Sequence, residues 1–202
     1  MKGKVFNAQE VQAILDGSKV MFREVIKGAE LEVFHPAIHS WAQSPHDHKF
    51  YAKAKNDEVK QQYVTTFPFH GIKCPYQVGQ KIFVKESWCN GAFYLPGEQT
   101  LLYKADLVVR EGSYKRLKEL TWKPARRTQE EHSRLTLQIK SIGVERLGDI
   151  SQEDCLSEGI ELDYQQCELT RFKTLWNATH KKPEEKFEAS PWVWSIQFQV
   201  VK

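Results

Sequence analysis

The first apolar positions of the chain recur at helical spacing. They are Val11, Ile14 and Leu15, which share one side of an α-helix. Asn7 and Glu10 form a capping-box pattern ahead of them, because the Asn side chain can accept from the Glu10 backbone while the Glu side chain reaches back. Gly17 suits the left-handed backbone that ends a helix. The pattern therefore predicts a short helix between Asn7 and Gly17.

A strand follows this helix at once and carries two cations. Apolar Val20 and Phe22 alternate with the other positions of residues 17–27, as in a strand with one buried side. The opposite side includes Lys19 and Arg23. Two cations at a helix-to-strand joint predict a ligand site at this point of the chain.

A carboxylate lies on the apolar side of the next predicted strand. Residues 74–88 have the pattern of a turn followed by a strand. The positions that share one side of this strand are Ile82, Val84, Glu86 and Trp88. A buried charge needs a partner, so Glu86 belongs either to a structural ion pair or to a functional site.

Later segments complete the predicted fold. They are a short strand over 101–105, a strand over 135–144, a short helix capped by Ser151 and ended by Gly159, a helix over 166–178 and a core strand over 192–200. Glu158 lies in the last turn of the short helix, where the helix dipole disfavours a carboxylate, and this is a modest indication of function. Strands of mixed length without βαβ regularity predict an α+β fold, a small mixed β-barrel with short helices at its ends.

Composition limits the classes of function. The 202 residues fit one domain, and residues 28–70 break the periodic pattern, which favours an insertion. A net charge of +3 allows a local contact with an anionic partner but is too low for binding to nucleic acid through bulk electrostatics. No apolar run reaches membrane-spanning length and no secretory signal core is present, which predicts a cytoplasmic protein without membrane contact.

Cysteine and histidine give no metal motif. The four cysteines lie far apart without a CxxC pair, so reduced thiols are expected. Four histidines gather in one region, namely His35, His39, His46 and His48. They could hold a metal ion, but no Cys or acidic ligand pattern accompanies them. The sequence therefore predicts no metal and no cofactor.

A basic stretch interleaved with aromatic residues follows the middle of the chain. Its members are Tyr114, Lys115, Arg116, Lys118, Trp122, Lys123, Arg126 and Arg127. Cations can neutralise phosphates while an aromatic ring stacks on an unpaired base, so the stretch predicts contact with nucleic acid. The alternative is a solvated loop with Trp122 packed into the core.

Five segments, taken in order, resemble the ASCH domain proteins of bacteria and their phages. The segments are LDGSKVMFREVIK, CPYQVGQKIFVKESW, YKAD, VERLGDISQEDCLSEGI and SPWVWSIQF. The resemblance implies a single domain over residues 1–202 with a PUA-like β-barrel, in which 28–70 and 160–190 are insertions. It also implies a phage or prophage type of protein that recognises RNA, single-stranded nucleic acid or a modified nucleoside.

One branch of that family hydrolyses N4-acetylcytidine with a lysine, a threonine and a glutamate. Lys19 matches the lysine and Glu158 matches the glutamate, so the resemblance implies these two as candidate catalytic residues. Phe22 occupies the threonine position, and Val20 the position of a neighbouring threonine. Because phenylalanine supplies no hydroxyl nucleophile, binding is the leading hypothesis, and water activated by Glu158 keeps hydrolysis as the alternative.

The candidate ligand-binding residues combine both lines of argument. They are Lys19, Arg23, Glu86, Trp88, Tyr103, Trp122, Arg126 and Arg127. The cations would hold a phosphate or a base carbonyl, Glu86 or Glu158 would accept from an exocyclic amine, and Trp88 or Tyr103 would stack on the base. A ribonuclease and a protein-interaction module of a phage or defence system remain as further alternatives.

Overall fold

A computed structural model describes residues 1–27, 38–43, 50–54, 73–90, 101–108, 121–161 and 165–201, with backbone alone at 38–43, 50–54 and 107–108. The strands are β1 (Lys2–Val5), β2 (Met21–Val25), β3 (Ile38–Gln43), β4 (Phe50–Ala54), β5 (Lys81–Lys85), β6 (Trp88–Asn90), β7 (Leu101–Tyr103), β8 (Thr136–Arg146) and β9 (Trp192–Val200). The helices are α1 (Ala8–Leu15), α2 (Ala105–Val108), α3 (Gln152–Ser157) and α4 (Glu168–Thr179).

Five strands form one mixed sheet in the order β1-β5-β8-β9-β2. The β1–β5 pair is parallel, and the other neighbours in this sheet are antiparallel. β3 pairs with β4 and β6 pairs with β7 as separate two-stranded sheets. The predicted α+β class is therefore confirmed.

The local signals at helix ends are confirmed. Asn7 Oδ1 accepts from the Glu10 N–H at 2.9 Å, and a Glu10 carboxylate oxygen accepts from the Asn7 N–H at 2.8 Å. Gly17 and Gly159 have φ values of 83° and 80°, in the left-handed region that favours glycine. Ser151 caps α3 by accepting from the Asp154 N–H.

Several element boundaries differ from the predictions. The helix predicted over 166–178 begins at Glu168, because Cys167 has extended backbone and is the N-cap, and it continues to Thr179. The strand predicted over 101–105 ends at Tyr103, since Ala105 begins α2. α3 ends at Ser157, so Glu158 is its C-cap rather than a member of its last turn.

The sheet curls so that its two edge strands face each other. Among the described strands β1 and β2 each have one hydrogen-bonded neighbour, and no ladder closes the barrel that the sequence predicted. Side chains bridge the two edges instead. Lys4 Nζ lies 3.1 Å from a Glu24 carboxylate oxygen, and the Tyr76 hydroxyl donates to the same oxygen at 2.9 Å. The Lys4–Glu24 ion pair therefore joins the two edges, and Tyr76, from the segment before β5, adds a hydrogen bond to it.

One core fills each face of the sheet. The core inside the curl includes Phe6, Phe22, Val84, Leu137 and Ile196. The core on the outer face packs α3 and α4 against the sheet, with Val193, Cys155, Phe172 and Trp176 among its members. β9 contributes to both cores, because Val193 is buried as completely as Ile196. The predicted alternation identified the inner face alone and was wrong at Val200, which is exposed.

Backbone pairing defines one end of the sheet that matters for the site. The pairings that show this are Val5 with Lys85, Val200 with Leu137, and Phe198 with Val20. The starts of β2 and β8 therefore meet the ends of β1, β5 and β9. Because α1 connects β1 with β2 here, we call this the α1 end.

Candidate functional site

Lys19 and Glu158 meet at the α1 end although 139 positions separate them. Lys19 Nζ donates to Glu158 Oε2 and to the Glu158 carbonyl oxygen, both at 2.8 Å. An isolated β-bridge also joins the two backbones. The side chains are 3% and 7% exposed, so this is a buried ion pair.

Arg23 joins the same pair from β2. Its Nη1 lies 3.1 Å from Glu158 Oε1, its Nη2 lies 2.9 Å from Asp154 Oδ2, and its Nε lies 2.5 Å from Glu145 Oε1. Burial lowers the pKa of Arg23, but these three carboxylates outweigh that effect and leave the pKa above its usual value. Arg23 is therefore a permanent cation at the centre of the group.

Short-range structure explains how the pair is placed. The Lys19 N–H donates to the Ala13 carbonyl of α1, and the Val20 N–H donates to the Ser157 carbonyl of α3. Gly159 packs between the two helices, since a Cβ there would lie 2.8 Å from the Ala13 Cβ and 3.0 Å from the Lys19 Cβ. The helix ends and the glycine thus bring Lys19 and Glu158 within contact.

Among the residues that the structure describes, four carboxylates surround the two cations, and we call all six residues the Lys19 cluster. They are Lys19, Arg23, Glu10, Glu145, Asp154 and Glu158. The cluster has two more negative than positive charges. The outer carboxylates of Glu10, Glu145 and Asp154 are each about one third exposed. A ligand from solvent therefore meets acidic groups before it meets the cations.

Lys19 keeps one donor unused among the described residues. An ammonium has three N–H donors, and Glu158 accepts two of them. The next carboxylate oxygen in this part of the chain, Glu10 Oε1, lies 3.8 Å from Nζ, which is beyond hydrogen-bond distance. One N–H of the Lys19 ammonium therefore has no hydrogen-bond acceptor among these residues.

Glu86 does not join Lys19 and belongs to a second group, which we call the Glu86 cluster. Arg134 Nε and Nη2 donate to the two Glu86 oxygens at 2.9 and 3.0 Å. Arg134 also pairs with Asp106, and its guanidinium lies 4.2 Å from the centre of the Tyr103 ring. Burial raises the pKa of Glu86, although the Arg134 hydrogen bonds oppose this change. Of the two alternatives for Glu86, this geometry is that of a structural ion pair.

The two aromatic residues proposed for base stacking already have partners. The Trp88 ring is buried and stacks on His132 with 4.2 Å between ring centres, and Lys123 Nζ lies 4.2 Å from its centre. Tyr103 lies against Arg134 and donates its hydroxyl hydrogen to the His132 carbonyl. A base would have to displace these groups in order to stack on either ring.

The described part of the basic stretch lies next to the end of β5. Arg126 and Arg127 are exposed on a single 3-10 turn, Ala125–Arg127, and Trp122 is half-buried. Lys85 Nζ donates to the Arg126 carbonyl at 3.3 Å. The remaining predicted members, Tyr114, Lys115, Arg116 and Lys118, lie outside the described residues. We call Lys85, Lys123, Arg126 and Arg127 the basic strip.

Sequence reasoning did not single out Glu145, Asp154 and Arg134. Asp154 was predicted as part of the α3 cap, and Glu145 follows the predicted strand without a distinguishing signal. Arg134 directly precedes an apolar alternating run, so a cation there could have been proposed as the partner that Glu86 needs. The strand pairing required for each contact is not encoded in local patterns.

Most of the four histidines that could hold a metal ion lie outside the described residues. His39 lies on β3, and His35, His46 and His48 are not described. Within the described ranges no group of three or more His, Cys, Asp or Glu side chains is placed to hold a metal ion. No helix in those ranges has the length and apolar character needed to cross a membrane.

Comparison with known proteins gives no family assignment. No protein-family model, curated protein or solved structure matches the chain.

Proposed function

We propose that this protein is an ASCH-type module with a PUA-like barrel that binds RNA, single-stranded nucleic acid or a modified nucleoside. The observation that carries the proposal is the buried Lys19–Glu158 pair with its unused donor. These two residues occupy the positions that match the lysine and glutamate of the ASCH hydrolases. The curled sheet with side-chain contacts across its edges supports a barrel-like architecture.

The Lys19 cluster is better suited to a base than to a phosphate. Its excess of two negative charges repels an anion, whereas the part-exposed carboxylates can accept from an exocyclic amine. The third Lys19 donor would bind a ring carbonyl such as O2 of cytosine. Cytosine presents both groups, so it is the base that we select as a probe.

The basic strip would bind the phosphates of the same strand. It lies at the α1 end, because Lys85 pairs with Val5 where β1 leads into α1. Exposed arginines neutralise phosphates without reading sequence. In this arrangement the base enters beside Lys19 while the flanking backbone crosses the basic strip.

Calorimetric titration with cytidine, uridine and cytidine 5′-monophosphate tests the base site. Cytidine should bind more tightly than uridine, which has a carbonyl in place of the amine, and any gain from the added phosphate should be lost in the Arg126→Ala/Arg127→Ala variant. Lys19→Met should abolish cytidine binding, and Glu86→Gln should leave it unchanged as the matched change in the other cluster. Equal binding of cytidine and uridine, or no binding of either, would contradict the base-site proposal.

Titration with a single-stranded RNA of roughly eight nucleotides tests the strip separately. The double variant Arg126→Ala/Arg127→Ala should weaken binding and lower the salt slope by about one per lost phosphate contact. Lys81→Ala is the control, because Lys81 is exposed at the other end of β5. A salt-independent affinity would argue against phosphate contacts.

The second candidate function is hydrolysis of an N4-acylated cytidine, and the 2.8 Å contact between Lys19 and Glu158 favours it. Phe22 opposes it, because its ring lies in the inner core, 5.5 Å from the Tyr76 ring, on the face of β2 away from Arg23. Burial raises the pKa of Cys155 to about 11, so its thiol is protonated at neutral pH. Water would have to be the nucleophile. Release of cytidine from N4-acetylcytidine, lost in Lys19→Ala and Glu158→Ala, would replace the binding proposal with this one.

A further inference from the structure

Arg23 contacts three carboxylates with three different nitrogen atoms. Nε, Nη1 and Nη2 reach Glu145, Glu158 and Asp154 respectively, on β8, at the end of α3 and within α3. The Arg23 side chain has no exposed surface. A planar guanidinium is the side chain that can satisfy three acceptors in fixed directions from one position.

The same contacts determine the orientation of Glu158. Its Oε1 accepts from Arg23 and its Oε2 accepts from Lys19, so a cationic donor holds each oxygen. Glu158 is therefore arranged as a fixed acceptor, and its rotation would also release Lys19.

We infer that Arg23 is a positioning residue for ligand recognition by Lys19, an inference that rests on the proposed function. Arg23 holds Glu158, Glu158 binds two donors of Lys19, and the third donor is thereby directed at the ligand. Arg23 itself has its nitrogens directed at carboxylates and does not contact the base. The ligand class that follows is a neutral or cationic base with a carbonyl acceptor, such as cytosine.

Replacing Arg23 with lysine distinguishes the effect of its positive charge from the effect of its three-way hydrogen bonding. A lysine would keep the positive charge but has one nitrogen, which cannot span three carboxylates on two elements. Arg23→Lys should therefore release Glu158 and Lys19 while the net charge of the cluster stays the same. If charge alone mattered, the lysine variant would behave as the wild type does.

Two measurements test the positioning role of Arg23. One is calorimetric titration with cytidine, and the other is nitrogen NMR of the Lys19 ammonium group. Arg23→Lys should bind cytidine roughly tenfold more weakly or worse, the size of one lost charge-assisted hydrogen bond. Arg134→Lys, which makes the same change in the Glu86 cluster, should leave cytidine affinity within about twofold of the wild type. In the wild type the Lys19 ammonium hydrogens should exchange slowly, and this protection should be lost in Arg23→Lys.

The outcomes distinguish this inference from the proposed function. Wild-type protein that does not bind cytidine defeats the proposed function, and the NMR signal then decides the role of Arg23 alone. Unchanged cytidine affinity in a folded Arg23→Lys variant overturns the inference, as does unchanged ammonium protection. If Arg23→Lys does not fold, an unprotected Lys19 ammonium in the wild type overturns it.

Discussion

Two cation–carboxylate clusters lie at the α1 end of the sheet, and they are built in opposite ways. In the Lys19 cluster both cations are buried and three of the four carboxylates are part-exposed. In the Glu86 cluster the carboxylate is buried, at 2% exposure, while Arg134 is one quarter exposed. The buried groups are thus two cations and one acid in the Lys19 cluster, and a single acid in the Glu86 cluster.

This difference separates a binding geometry from a structural one. Arg134 meets both Glu86 oxygens in a bidentate pair and lies on Tyr103, so the cation and the carboxylate of this cluster are matched to each other. Lys19 has a donor left after Glu158 is satisfied. Burial and charge alone do not identify a site, because both clusters have them. The proposal therefore depends on the third donor of the buried Lys19 ammonium.

α1 connects the two clusters. The Gln12 side chain donates to the Ala105 carbonyl at 2.7 Å, next to Asp106 of the Glu86 cluster. On the adjacent residue the Ala13 carbonyl accepts from the Lys19 N–H. One turn of helix therefore supports both groups, and substitutions must be compared between clusters before a local effect is assigned.

The largest effect is expected for Arg23→Met. It removes three hydrogen bonds and leaves Glu158 buried with one cationic partner, so the free energy of unfolding should fall by about 3–5 kcal/mol. Arg134→Met should cost less, because Glu86 can take up a proton in a site that already raises its pKa. Urea unfolding of both variants at pH 7 measures the difference. Equal losses would show that the two clusters are energetically alike.

The second-largest loss of stability is expected for Gly159→Ala. The substitution places a Cβ in the left-handed region and 2.8 Å from the Ala13 Cβ, so strain and overlap add to about 2–4 kcal/mol. Gly17→Ala is the matched control, since Gly17 has a φ of 83° but an alanine Cβ there would meet no atom within 4 Å beyond its chain neighbours. Chemical denaturation should show the smaller loss for Gly17→Ala. A similar loss in both would mean that close packing against Lys19 adds nothing.

Sequence patterns predicted the parts of this molecule that depend on neighbouring residues. The capping box at Asn7, the left-handed glycines and the strands over 135–144 and 192–200 follow from local hydrogen bonding and side-chain period. The parallel β1–β5 pair was not predicted, because β1 is four residues long and has no distinctive alternation. Strand order therefore required the structure.

The candidate site was predicted only in part, because local patterns identify residues but not their partners on other elements. The helix-to-strand joint predicts Lys19 and Arg23 as site residues, and the family resemblance adds Glu158. The structure brings these three side chains together. Glu86 was grouped with them but lies with Arg134, since an apolar register reveals burial without revealing the partner. Two of the three additional carboxylates, Glu145 and Asp154, make contacts across strand and helix that no local spacing encodes.

A smaller effect on stability is expected for Glu86→Gln, and it should depend on pH. Burial raises the Glu86 pKa in the folded state, so the folded protein binds the proton more tightly than the unfolded chain does. Wild-type stability should therefore fall as pH rises upward from the usual glutamate value of 4.5, and Glu86→Gln should lack this fall. Urea midpoints measured at several pH values test the slope. A wild-type stability that instead rises relative to the variant would reverse the sign assigned to burial.

The smallest effect is expected at the rim of the Lys19 cluster, for Glu10→Gln. Glu10 is about one third exposed and lies 3.8 Å from Lys19, a weak ion pair in contact with solvent. The glutamine keeps an oxygen that can accept from the Asn7 N–H, so the capping box is retained. Unfolding should change by less than about 0.5 kcal/mol, whereas Glu10→Ala should lose about 1 kcal/mol with the cap. A large loss in Glu10→Gln would mean that the outer carboxylates support the buried cations, and that the cluster is held together from its rim as well as through Arg23.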